Sequence, residues 1–148
     1  MADLSAQLRR HPFCAGLAPE HVEALASCAS DVAYAPGQLL AREGTDADAT
    51  FLVTAGRVAL CTGSDIVETV EAGELLGWSW LIDGTCWHLD AVAHSAVRAL
   101  RLDGDTLDAR MHADPVFGHA LARHVLRTVH GRLERARMRS LDVFGAPS

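Results

Sequence analysis

Residues 34–60 read YAPGQLLAREGTDADATFLVTAGRVAL, and the punctuation of this stretch decides the fold. Pro36-Gly37 marks a turn, a short run ends at Glu43-Gly44, an acidic loop follows, and the apolar, partly β-branched run "ATFLVTA" turns again at Gly56. Such short runs between turn residues spell strands rather than helices. The pattern extends outward on both sides: "DVAYA" precedes it, and "RVALCT", "IVETVEA" and "AVRALRL" follow, with "TGSD" and "DGT" as further turns. Many short strands with frequent turns predict a sandwich, jelly roll or barrel over residues 31–104.

Outside that block the period becomes helical. In "LAPEHVEALASCAS" Pro19 takes a first-turn position, and Val22, Leu25, Ala26 and Ala29 recur at spacings of three and four, so residues 1–30 are read as N-terminal helices. Residues 105–141 are read as C-terminal helices: "DTLDARMHAD" is one, and Pro115 opens a longer one with Phe117, Leu121, Val125, Val129 and Leu133 on a stripe. A stripe of that length needs a partner surface. The expectation is a homodimer seam through these five residues, with Gly118 and Ala122 permitting close approach and a bend near Gly131.

Composition bounds the function. With 148 residues and 49% hydrophobic content the chain is one domain's worth and can bury a core without disulfides. No apolar run approaches the roughly 20 residues of a membrane helix, and "MADLSAQLRRHPF" lacks a signal-peptide layout, so a soluble cytoplasmic protein is expected, without a membrane partner. Cys14, Cys28, Cys61 and Cys86 form no CxxC and read as free thiols. Every basic residue is arginine, which reflects the codon bias of a GC-rich genome. Residues 1–122 hold 7 Arg against 17 Asp and Glu, a balance of −10, while 123–148 hold 6 against 2, a balance of +4. An acidic body disfavours nucleic acid, because neutralised phosphates supply most of that affinity.

Helix, jelly-roll strands, then a long amphipathic helix is the order of elements in the cyclic nucleotide-binding domain. The stretch 34–60 resembles the first half of that domain, most specifically at Pro36-Gly37, Glu43-Gly44 and Gly56, and "EAGELLG" resembles the entry to its phosphate-binding cassette. From residue 11 to 140 the chain is similar to the sensor half of a bacterial Crp/Fnr-type regulator. The resemblance implies a mainly β fold with flanking helices: a cyclic nucleotide-binding-like jelly roll (double-stranded β-helix), then a long C-terminal dimerisation helix. Family regulators continue into a helix-turn-helix domain; this chain stops at Ser148, so no DNA-binding domain and no DNA binding are expected. Arg135, Arg137 and Arg139 read as a solvated helix end.

The cassette chemistry departs from the family's. There, a short helix after the cassette glycine offers N–H groups to the cyclic phosphate, a glutamate beside that glycine bonds the ribose, and an arginine followed by a hydroxyl residue holds the phosphate. An ungapped count from Gly77 puts Trp78, His88 and Leu89 at the glutamate, arginine and hydroxyl positions, leaving Gly77, Trp78, Ser79, His88 and Leu89 as candidate ligand-binding residues. Each lost charge-assisted contact is worth roughly 1.5–3 kcal/mol, so tight cyclic AMP binding of the usual kind is not expected unless a shifted register brings Arg98 into reach.

Three readings of "GELLGWSWLIDGTCWHLDAVAH" (73–94) stand side by side. Trp78 and Trp80 could fill the barrel with indole, making the chain a sensor-shaped adaptor that acts through a homodimer or a separate effector protein. A changed pocket could take an atypical nucleotide or another anionic or aromatic small molecule, with donors from Gly77 to Ser79 and His88. Cys86 or His88 could ligate haem, the one cofactor the sequence suggests. No metal set is otherwise written here: His88 lacks the His-x-His partner of a cupin, and neither a Ser-His-Asp constellation nor a phosphate loop is visible. The chain is read as non-enzymatic and regulatory.

Overall fold

The computed structural model describes residues 3–81 and 86–144. Helices α1 (Leu4–Arg10) and α2 (Pro19–Ala26) precede eight strands among the described residues: β1 (Ala29–Tyr34), β2 (Leu39–Ala41), β3 (Ala49–Ala55), β4 (Arg57–Thr62), β5 (Asp65–Glu71), β6 (Leu75–Leu76), β7 (Asp90–Ala93) and β8 (Val97–Asp103). Helices α3 (Gly104–Ala113) and α4 (Pro115–Phe144) follow. The strands form two antiparallel four-stranded sheets, in the orders β1-β8-β3-β6 and β2-β7-β4-β5. This is the jelly roll with flanking helices that the family resemblance implied, one of the three architectures that the turn spacing left open.

Alternation along the central strands builds two cores from one sheet. Leu52, Leu75, Leu100 and Leu102 point to the helices and join Leu8, Leu25, Leu107 and Phe117. Their neighbours Phe51, Val53, Leu76, Val97 and Ala99 point the other way, into the barrel, against Val58, Leu60, Ala91 and Ala93 of the second sheet. Covered on both faces, β3 buries every residue from Ala49 to Val53, which is why it reads as a continuous apolar run rather than an alternating one. β5, at the edge of its sheet, buries only Val70.

Gly56 makes the β3–β4 turn at φ +86°, and a Cβ there would stand 2.1 Å from the Ala96 carbonyl oxygen, so no side chain is tolerated. Asp103 caps α3 by accepting from the Thr106 N–H at 3.0 Å and its hydroxyl at 2.6 Å. Those bonds hold the Asp103 carboxyl below its ordinary pKa.

The long helix corrects the expected seam. Phe117, Leu121 and Val125 are at most 4% exposed within a single chain, packed in the core beneath α1 to α3. They cannot also meet a second subunit. Val129 is half-buried at the edge of that core, and only Leu133, 49% exposed, stands clear of it. The small size of Gly118 serves the same intramolecular packing, since a Cβ there would lie 2.8 Å from the Met111 carbonyl oxygen of α3. Through Gly131 the helix runs on as one element.

Candidate functional site

The cassette region begins where β6 leaves β3. Gly73 N–H donates to the Val53 carbonyl at 2.8 Å and Val53 N–H to the Glu74 carbonyl at 3.0 Å, which fixes the entry. Gly77 then turns at φ +83°, and a short 3-10 turn, Ser79–Leu81, closes with the Leu81 N–H donating to the Trp78 carbonyl at 3.1 Å. The Trp78 ring lies against the helical core, not in the barrel. The guanidinium of Arg132 on α4 sits 5.6 Å from its centroid and donates to the Leu75 carbonyl. Burial lowers the Arg132 pKa while Glu68 and Glu74 oppose the shift; the group remains a cation. One arginine of α4 thus ties the long helix to both the strand and the indole of the cassette.

The residue that reaches into the barrel is Trp87. Its N–H donates to the Thr45 carbonyl at 2.9 Å and its carbonyl accepts from the Gly44 N–H at 2.8 Å, so the acidic loop grips its backbone on both sides. The ring is tilted against Phe51 with centroids 6.4 Å apart. Its outer edge occupies the space before the cassette glycine: a Cβ on Gly77 would lie 2.5 Å from Trp87 Cη2. Leu89 packs beside it on the barrel core, whereas His88 between them is exposed.

The five cassette candidates are therefore dispersed. Gly77 meets Trp87, Trp78 meets the helices, Ser79 starts the 3-10 turn, Leu89 belongs to the barrel core and His88 faces solvent. The expectation that Trp78 and Trp80 plug the barrel is corrected for Trp78; the Trp80 side chain lies outside the described residues. The ungapped count from Gly77 names His88, but the side chain that packs on the barrel core is that of its neighbour Trp87. The signal that finds Trp87 is alternation: Trp87, Leu89, Ala91 and Ala93 are apolar at every second position and all four pack on the barrel core, and the last two are on β7. Arg98 is no substitute phosphate ligand, since it pairs with Asp31 at 3.0 Å on the outer face with 62% of its side chain exposed.

Cys86 bridges to Asp46 through the backbone, and with His88 exposed the two side chains proposed for haem do not line the barrel together. Among the described residues, no three His, Cys, Asp or Glu side chains gather where a metal ion could be held. Buried Cys14 has its thiol pushed up to about 11 by desolvation, which makes it unreactive at neutral pH. Among the described residues no helix is long and apolar enough to cross a membrane.

The family model described as cyclic nucleotide-binding domain matches residues 31–114. Among solved structures, a protein from Geobacter metallireducens GS-15 described as cyclic nucleotide-binding is 27% identical over 90% of this chain and 99% of its own, with a TM-score of 0.81. The N-terminal domain of a transcriptional regulator from Streptomyces coelicolor A3(2) is 29% identical over 88% of this chain and 95% of its own, with a TM-score of 0.69. The sensor domain of the transcriptional regulator DNR from Pseudomonas aeruginosa, 18% identical over 88% of this chain and 91% of its own, shares the fold at a TM-score of 0.66. No curated protein sequence matches significantly.

Proposed function

The chain belongs to the cyclic nucleotide-binding domain family, and from that premise we propose a non-enzymatic, Crp/Fnr-like regulatory domain whose cassette is closed by its own Trp87 and whose output runs through α4. The observation that carries this reading is the indole edge in front of Gly77, where a Cβ would meet it at 2.5 Å. A cyclic nucleotide seated in the family's manner brings its sugar and phosphate to that glycine. Here it would have to expel a ring whose backbone is held by two hydrogen bonds and which lies tilted against Phe51.

The test is thermal unfolding of the whole protein alone and with cyclic AMP or cyclic GMP up to the millimolar range. Ligand at a hundred times its dissociation constant stabilises by about 2.7 kcal/mol, a shift of several degrees for a domain of this size. No shift is expected for either nucleotide. A clear upward shift would mean that Trp87 swings aside and that the domain is an ordinary second-messenger sensor.

Dimerisation is retained with a different seam. Ala122, Leu126, Val129, Leu133, Ala136 and Ser140 recur at alternating spacings of four and three, the period of a coiled-coil face. Leu126 is 67% exposed and Leu133 49% exposed in the single chain. A second copy of α4 laid along this face would cover both, and Arg132, anchored on Trp78 and the Leu75 carbonyl, would connect the cassette to that contact. A separate effector protein reading the same face is the alternative occupant, and the association state of the purified protein separates the two.

A further inference from the structure

Beside Trp87 the surface opens into a groove of about 440 Å3 that runs between the loop joining β2 to β3 and Arg101 of β8. Its size falls within the roughly 300–1,000 Å3 of small-molecule sites. The partly exposed rings of Tyr34 and Trp87 wall it, with the buried Phe51 ring behind them. Tyr34 and Phe51 meet edge to face with centroids 6.3 Å apart, and Phe51 and Trp87 are tilted at 6.4 Å.

Arg101 is the charge that governs the interior. Its side chain is 30% exposed, against 68% for Asp48, and Arg42 and Asp46 at the rim are exposed as well. Charges in water are screened far more than a half-buried one, so the rim acids do not cancel the guanidinium inside the groove. Its contacts are long, 3.5 Å to Asp103 and 3.9 Å to Asp48, whereas a satisfied charge-assisted bond measures about 2.7–2.9 Å. The fork has capacity for a better acceptor. Tyr34 contributes a hydroxyl that burial keeps protonated, with the Arg101 charge opposing that shift.

We propose that this groove binds a flat aromatic monocarboxylate, its rings against Tyr34 and Trp87 and its carboxylate on Arg101. The aromatic walls select a planar ring system. One guanidinium forks onto one carboxylate and neutralises a single negative charge, which suits a monocarboxylate rather than a dianion such as a phosphate monoester. Because the Trp87 ring lines the groove and also abuts Gly77, an occupant presses on the plug of the cassette. The binding claim holds independently of whether a cyclic nucleotide can displace Trp87.

The experiment titrates 2-naphthoate into the full chain, read by tryptophan fluorescence and by the thermal midpoint. Cyclohexanecarboxylate, charged but not flat, and 2-naphthylmethanol, flat but uncharged, serve as controls. Saturable 2-naphthoate binding is expected, with both controls at least tenfold weaker and Arg101→Gln weakened at least tenfold. Leu39 lines the groove at 38% exposure, so Leu39→Trp should block binding while the thermal midpoint is retained. Should Arg101→Gln fail to fold, Arg101→Lys keeps the charge, loses the fork and should still weaken binding. Absence of saturable 2-naphthoate binding, equal binding of cyclohexanecarboxylate, or undiminished binding in Leu39→Trp would overturn the proposal.

Discussion

At the scale of single residues, Gly77 and Trp87 define each other. Gly77 holds φ +83°, where a side chain is strained, and any Cβ would stand 2.5 Å from Cη2 of Trp87. Gly77→Ala therefore carries two penalties, about 1–2 kcal/mol for the left-handed backbone and about 1–3 kcal/mol for overpacking. Trp87→Ala relieves only the second. The double variant should lose less stability than the sum of the single ones, by about the overpacking part, in denaturant unfolding. Strict additivity would mean that the ring does not occupy the space before Gly77. Trp78 behaves differently, because its ring rests on the helical core beneath Arg132, and its removal loosens α4 without opening the barrel.

At the scale of elements, α4 carries two stripes with different duties. Phe117, Leu121 and Val125 are spaced by four, and each step of four advances about 40° beyond a full turn. Extended through Val129 to Leu133, the row winds about 160° around the helix, so it begins under the body of the chain and ends in solvent. The amphipathic row was legible in the sequence, but its partner was not, since apolar periodicity demands a cover without saying whose. The alternating row through Leu126, Val129 and Leu133 stays on one side and suits a straight seam. Leu126→Asp with Leu133→Asp should leave unfolding nearly unchanged and shift a dimer to monomer in sedimentation, whereas Val125→Asp, 4% exposed at present, should unfold the chain. A wild-type chain that already sediments as a monomer, unchanged in the double variant, would assign the face to another protein. The strands were legible for a firmer reason. Gly56 and Gly77 sit where only glycine fits, and such constraints are written in residue identity. A count from Gly77 names a position without saying which side chain faces inward, so it misses Trp87, whereas the period-two pattern through Trp87, Leu89, Ala91 and Ala93 reads that facing directly.

At the scale of the whole molecule, the N-terminal segment fastens the long helix to the barrel through two histidines around Phe13. His11 Nδ1 accepts the Phe13 N–H at 3.1 Å, so its proton resides on Nε2, which donates to the Val53 carbonyl at 2.8 Å. On the far side of the same residue, His124 of α4 bonds the Phe13 carbonyl and meets its ring edge-on at 4.9 Å. The chain of contacts runs from α4 through Phe13 and His11 to the Val53 carbonyl, which also receives Gly73 at the cassette entry. Protonating His11 breaks it, because Nδ1 can no longer accept and a charge would be stranded in a site 5% exposed. Burial lowers the His11 pKa below its ordinary 6.5, with the Val53 bond only partly opposing. The unfolded chain therefore binds a proton at a higher pH than the folded one does. Stability from this group is fully present above the unfolded value near pH 6.5 and is lost as the pH falls toward the lower folded value, at a slope of at most about 1.4 kcal/mol per pH unit for one proton. The thermal midpoint should hold steady from pH 8 to 7 and drop below pH 6.5. In His11→Asn, whose side chain retains an acceptor for Phe13 but does not titrate, the midpoint should be lower at neutral pH and the acid slope shallower. An unchanged slope in that variant would place the acid sensitivity elsewhere and remove His11 from the link between α4 and the cassette.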